Sequence, residues 1–178
     1  MSSNIQPVLD ALKTKFPDIT FDPKPLIAQK NPALEQIFVR VPPDRLIEVM
    51  QFLRRDPRCS FEQLSDLTCV DYLNFPDAAD RYGVTYSLLS LSLGHRLWIK
   101  CYVNDPSPTV PTATCIWKGA NWLEREVYDM FGVTFTDHPD LRRILTWDGF
   151  TANPLRKDYP LRGQGERENY DIVTRESA

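Results

Sequence analysis

The stretch Arg96–Asn104 reads RLWIKCYVN, and its period decides the architecture. Side chains of an extended chain alternate between two faces, so Leu97, Ile99, Cys101 and Val103 share one side and Trp98, Lys100 and Tyr102 the other. The preceding segment repeats the pattern with Tyr82, Val84, Tyr86 and Leu88, and Gly94 and His95 are expected to make the turn between the two arms. Downstream, DPSPTVP (105–111) cannot continue a ladder because proline lacks the N–H, so the sheet is expected to end there and helical chain to follow.

Working upstream, Leu67–Leu73 has strand composition, and a polar loop with Pro76, Asp77 and Asp80 leads into the hairpin. Gln36–Val41 reads as a further strand. Pro42 and Pro43 then open a helix that buries Leu46, Met50 and Leu53, flanked by Ile47, Val49 and Phe52, and closes on Arg54, Arg55 and Pro57. Nearer the N-terminus, Ile5, Val8, Leu9, Leu12 and Phe16 form one apolar stripe of a short helix that Pro17 ends, followed by a connector with Pro23, Pro25 and Pro32. The fold class expected is α+β, a largely antiparallel sheet of about four strands with helices packed on one face. Residues 1–145 are assigned to this domain. From Thr146 to Ala178 neither period appears, so 146–178 is expected to be an extended C-terminal segment.

The totals restrict function. A chain of 178 residues with 42% hydrophobic and 25% charged residues suits one soluble domain, and no apolar run reaches the roughly 20 residues of a membrane-spanning helix. A formal charge of -3 gives no argument for nucleic acid, and MSSNIQPVLDALKTKF lacks an apolar signal core, which makes the cytoplasm the default compartment. Cys59, Cys69, Cys101 and Cys115 are too scattered for clustered metal-ligand spacing. Buried reduced thiols are the expectation, without a redox centre.

The second informative stretch is NWLEREVYDMFGVTFTDHPDLRRIL, Asn121–Leu145. Asn121 and Glu124 have the spacing of a capping box, and Ala120, Leu123, Val127 and Met130 share a helical face. Arg125 and Asp129 are spaced as an exposed i,i+4 pair, and Gly132 is a natural C-cap. Beyond Gly132, His138, Asp140, Arg142 and Arg143 crowd into six positions. A general base with an anion clamp is one reading, in a hydrolase that uses Cys115 with His138, or zinc on His95 and His138. An interface fits better, because arginine, tryptophan and tyrosine are enriched where proteins bury surface on each other, and Trp117, Trp122, Trp147, Tyr128, Tyr159, Arg142, Arg143 and Arg156 all lie in the last third.

The string EREVYDMFGVTFTDHPDLRRIL (124–145) resembles the signature of the C subunit of NADH:quinone oxidoreductase, respiratory complex I, also called its thirty-kilodalton subunit. LRKDYPLRG (155–163) resembles the same family, and weaker similarity through FEQLSDLTCVDYL and YSLLSLSLGHRLWIK extends the match over roughly 38–163. The resemblance implies that Glu124, Arg125, Glu126, Asp129, His138, Pro139, Asp140, Arg142, Arg143, Ile144, Leu145, Arg156, Lys157, Asp158, Tyr159 and Pro160 are signature and interface residues. It further implies a non-redox subunit, not itself catalytic, of the peripheral arm of a proton-translocating enzyme, in which electrons pass from NADH through FMN and iron-sulfur clusters to quinone. None of those cofactors would be held by this chain. Its partners would be the quinone-site subunit and neighbouring iron-sulfur subunits, with the C-terminal extension wrapping them. The membrane would be met only through the complex, at its cytoplasmic face. Related subunits serve ferredoxin-fed plastoquinone complexes and membrane-bound hydrogenases, while the LTCVDYL and LRKDYPLRG wording is closer to bacterial respiratory enzymes. In the tail, Tyr170 and Ile172 are the expected anchors.

Overall fold

A computed structural model describes residues 5–21, 23–25, 36–76 and 78–165. Pro32, Asp77, Tyr170 and Ile172 lie outside the described residues. The elements in chain order are α1 (Gln6–Lys15), β1 (Lys24–Pro25), β2 (Ile37–Arg40), a 3-10 turn (Pro43–Arg45), α2 (Leu46–Arg55), β3 (Gln63–Asp71), β4 (Tyr82–Ser90), β5 (His95–Val103), β6 (Thr109–Pro111), α3 (Ala120–Phe131) and β7 (Thr134–Thr136).

The hairpin of β4 and β5 is the centre of the sheet. Tyr82 pairs with Val103, Val84 with Cys101, Tyr86 with Ile99 and Leu88 with Leu97, so the two apolar sets occupy the same face. β3 joins β4 antiparallel, with Leu67 opposite Tyr86 and Cys69 opposite Val84. β2 joins β5 in parallel, with Val39 opposite Ile99, and the strand order is β1-β2-β5-β4-β3. The α+β class holds, with five strands counting the two-residue β1. Three of the four pairings are antiparallel.

All the apolar side chains buried by this sheet lie on one face, in a single cluster with Val8 and Leu12 of α1, Val49, Met50 and Leu53 of α2, and Val127 and Met130 of α3. The helices are therefore layered on that face, as the alternation requires. On the other face Arg96 is exposed, Trp98, Lys100 and Tyr102 are half-buried, and Val70 is 39% exposed. Gly83 sits low between larger neighbours there. A Cβ at that position would lie 2.8 Å from the Tyr72 ring and 3.2 Å from the Tyr102 ring.

Two local expectations are corrected. His95 is not a turn residue: it is the first residue of β5, buried, with Nε2 3.1 Å from the Cys59 carbonyl oxygen and its ring against Phe61. The turn is made by Leu91–Gly94, where the left-handed Gly94 (φ +70°) donates its N–H to the Ser90 carbonyl. DPSPTVP does leave the main sheet, yet Thr109–Pro111 forms β6 and pairs in parallel with β7 instead of passing straight into helix. Alternation over three residues is too short to announce a strand, and the proline at 111 masks it further.

Candidate functional site

The helix α3 begins after Gly119, with no side-chain cap. Asn121 is inside the helix, so the capping box is overturned, and Glu124 performs a tertiary role. Its side chain is fully buried, where Oε1 accepts the Ala113 N–H at 2.7 Å and Oε2 the Thr112 hydroxyl at 2.5 Å. Burial pushes this carboxyl up to about 7, against the opposing effect of those two donors.

The exposed Arg125–Asp129 pair is overturned as well, since both residues are buried and each serves the chain that follows β7. Residues 141–146 have no regular structure, and their backbone groups still need partners. The Arg125 guanidinium donates to the carbonyls of Arg142 (3.1 Å) and Arg143 (3.0 Å). The Asp129 carboxylate accepts three successive N–H groups, from Ile144, Leu145 and Thr146, at 3.0, 2.8 and 2.8 Å. It also takes the Thr146 hydroxyl at 2.5 Å and the Arg143 guanidinium at 2.7 Å. Burial alone would raise this carboxyl, but the Thr146 hydroxyl and the three N–H groups outweigh it and hold Asp129 well below the usual carboxylate range. Helical side chains four apart thus clamp both the C=O and the N–H groups of one irregular strand.

The other end of α3 is closed by residues 153–158. Gly132 is the C-cap in the left-handed region (φ +76°), as the sequence suggested, and its N–H reaches the Tyr128 carbonyl. The last carbonyls of a helix lack intrahelical donors. Here Asn153 Nδ2 donates to those of Tyr128 and Asp129, the Leu155 N–H to Met130, and Arg156 Nε to Phe131 at 2.7 Å. Lys157 contributes its backbone N–H to Asp71 at 2.8 Å, and Asp158 pairs with Arg81 at 2.7 Å. Arg81 also meets Asp71 and Asp105; burial lowers its pKa, and its hydrogen bonds to Asp158 and Asp71 outweigh that and raise it. Tyr159 lies beside Phe150, and Pro160 accepts the Gly163 N–H. Phe150 itself is buried, beneath the Arg143 guanidinium.

The remaining signature residues point elsewhere. Arg142 pairs only with Asp140, both largely exposed, and Glu126 and Pro139 are exposed too. Ile144 is half-buried, whereas Leu145 is 63% exposed. His138 has Nε2 3.2 Å from the Asn121 carbonyl oxygen, and its Nδ1 accepts the Asp140 N–H at 3.0 Å. Neither ring nitrogen is left to activate Cys115, whose thiol contacts the Thr112 carbonyl at 3.8 Å. Among the described residues no group of three or more His, Cys, Asp or Glu side chains could hold a metal ion. Burial pushes Cys59 up to about 11 and Cys69 and Cys101 up to about 12.

Sequence reasoning missed Thr112, Thr146, Asn153, Asp71 and Arg81, which complete these contacts. Each partners a residue 12 to 86 positions away, and no local period marks such a pairing.

A two-layer α+β domain whose third helix clamps a long irregular segment is the class that this geometry defines. The chain belongs to the family of the 30 kDa subunit of respiratory-chain NADH dehydrogenase, which residues 39–165 match. It is 46% identical over 131 residues to "NADH-ubiquinone oxidoreductase subunit 9" of Reclinomonas americana, covering 74% of this chain and 62% of that one. It is also 46% identical over 132 residues to "NADH dehydrogenase [ubiquinone] iron-sulfur protein 3, mitochondrial" of Candida albicans, covering 74% of this chain and 46% of that one. The chain therefore spans about half to three fifths of the length of these two relatives. The solved structure of a trypsin-resistant fragment of Nqo5 is similar with a TM-score of 0.64 at 33% identity, over 77% of this chain and 98% of that fragment.

Proposed function

We propose that this chain is a non-redox structural subunit of the peripheral arm of a proton-translocating NADH:quinone oxidoreductase, docked beside the quinone-site subunit. Family membership supports the assignment to that enzyme. The observation that carries the docking role is the division of labour in the signature. Arg125, Asp129, Arg143 and Arg156 are used up inside the chain, while the segment they hold displays Leu145 (63% exposed), Trp147 (39%) and the Arg142 guanidinium to solvent, and α3 itself displays Trp122 (62%). Large apolar side chains beside an exposed arginine are the composition of a protein interface, and their exposure in a free monomer is unfavourable.

In this reading the chain performs no electron transfer of its own. Cys59, Cys69 and Cys101 are buried with thiol pKa values raised by burial, and Cys115, expected to be buried with them, is exposed; three inert thiols support leaving the iron-sulfur clusters, and with them FMN, to other subunits. Attachment to the membrane comes through those partners, since no helix of the described residues is long and apolar enough to cross one. Purification of a tagged chain from membranes of its native host tests the reading. Recovery of a multisubunit NADH:quinone oxidoreductase is expected, and recovery of the chain alone from cells with an active respiratory chain overturns it.

A further inference from the structure

Near the start of α3 two enclosed side chains stand outside the clamp. Glu124 and His138 are both fully buried, with Glu124 Oε2 3.9 Å from His138 Nε2. Thr112 and Ala113 face Glu124 from the end of β6, and Asn121 and Arg125 lie near it on α3 itself. Arg125 is turned away, committed to the carbonyls of Arg142 and Arg143. From β4 comes Tyr86, whose buried hydroxyl makes no hydrogen bond and whose pKa is raised by burial, by Cys101 and then by the Glu124 charge. The charged side chains Lys118 and Asp137 lie in the wall of the groove that also exposes Thr112, Thr114 and Asn121. Among the described residues no Lys or Arg side chain pairs with the Glu124 carboxylate. His138 accepts the Asp140 N–H at Nδ1 and sets Nε2 toward the Asn121 carbonyl.

We propose that Glu124 is a buried proton-binding site at the junction of α3, the end of β6 and the turn 137–140, taking up one solvent proton without loss of a hydrogen bond. The proton binds Oε2. The new O–H donates to Thr112 Oγ, and the Thr112 hydroxyl proton swings to Thr114 Oγ, which lies 2.9 Å away. Oε1 keeps the Ala113 N–H throughout. Burial, which pushes the Glu124 carboxyl up to about 7, places this step at neutral pH. The site borders the turn 137–140, the root of the segment carrying Arg142, Leu145 and Trp147.

The test uses the full chain, labelled with 13C in glutamate and uniformly with 15N, titrated by NMR. This concerns the chain alone and is decided independently of any partner. The Glu124 carboxyl resonance should pass from mainly protonated to mainly ionised between about pH 6 and about pH 8, a roughly tenfold change in the ratio per pH unit. The Asp140 amide should stay fixed through that step. A Glu124 carboxyl that stays ionised down to about pH 5 overturns the proposal. An Asp140 amide that moves together with Glu124 overturns it equally. In Glu124→Gln, which places an oxygen and an NH2 donor at the two carboxyl positions, the neutral step in tryptophan fluorescence should vanish. Persistence of the neutral step in that variant counts against the proposal, and a variant that does not fold leaves the wild-type titration to decide.

Discussion

The Asp129 carboxylate, fully buried, meets the Arg143 guanidinium at 2.7 Å, fourteen residues further along the chain. The contact is strong because Asp129 is simultaneously the acceptor for three backbone N–H groups of the same segment. Removing its charge leaves Arg143 half-paired, and an amide in its place sets an NH2 group among donors. Asp129→Asn is expected to cost about 3 kcal/mol, in the range for breaking a buried pair. Urea unfolding of the full chain measures it. A double-mutant cycle with Arg143→Met should return a coupling of roughly 1–3 kcal/mol, and a coupling near zero would show that the N–H groups alone hold the segment.

Glu124 and Asp129 have opposite pH signatures. Glu124 has its folded pKa raised from 4.5 to about 7, so its contribution to stability is complete below about 4.5 and is lost as pH rises to about 7. A shift of this size corresponds to roughly 3 kcal/mol. Asp129 has its folded pKa depressed below 3.8, so its contribution is complete above that value and is lost as the solution becomes strongly acidic. Stability should therefore decline from pH about 5 toward pH about 7, and Glu124→Gln should flatten that slope. Denaturant midpoints measured across this range provide the check.

The sheet could be read from the sequence because its information is local. Alternation in β4 and β5 names the buried face residue by residue, and Leu67 and Cys69 of β3 continue it. Gly132 could be read for the same reason, since a C-cap needs only the residue that tolerates its φ. Glu124, Arg125 and Asp129 could not. Their i,i+3 and i,i+4 spacing has an ordinary helical explanation, and nothing local separates an exposed charge from one that binds chain 17 residues away. The lack of period after Thr146 agrees with residues 147–165, which hold neither helix nor strand among the described residues. It was silent on the fact that residues 153–158 are held by the α3 carbonyls, Asp71 and Arg81.

Gly132 faces two constraints at once. Its φ of +76° is unfavourable for an L side chain, and a Cβ there would lie 2.7 Å from Asn153 Oδ1 and 3.3 Å from the Arg156 guanidinium. Gly132→Ala must displace the residues that satisfy the end of α3, so a loss above about 1 kcal/mol is expected, more than the conformational cost of Ala in an open left-handed position. Asn153→Ala, which removes one donor from each of the Tyr128 and Asp129 carbonyls while the Gly132 N–H and the Arg143 guanidinium stay in place, should cost roughly 0.5–1.5 kcal/mol. Thermal unfolding of the two variants and their combination should show less than additive loss, because both disturb one contact.

Arg142 differs from its neighbour Arg143 in what it touches, and a pair of variants separates fold from docking. The Arg142 side chain is 69% exposed and bonds only to Asp140, itself 54% exposed, so this ion pair adds little stability. Arg142→Glu should leave the unfolding midpoint of the isolated chain within roughly 0.5 kcal/mol of wild type. Arg143→Glu places a carboxylate against Asp129 and should destabilise the chain severely. If the exposed surface docks as proposed, Arg142→Glu combined with Trp122→Ala will reduce recovery of the assembled enzyme and its quinone reductase activity in parallel, with the chain itself folded. Unchanged assembly with a folded double variant would place the docking surface on another part of the chain. Normal assembly with lost turnover would instead assign Arg142 or Trp122 a direct part in the reaction.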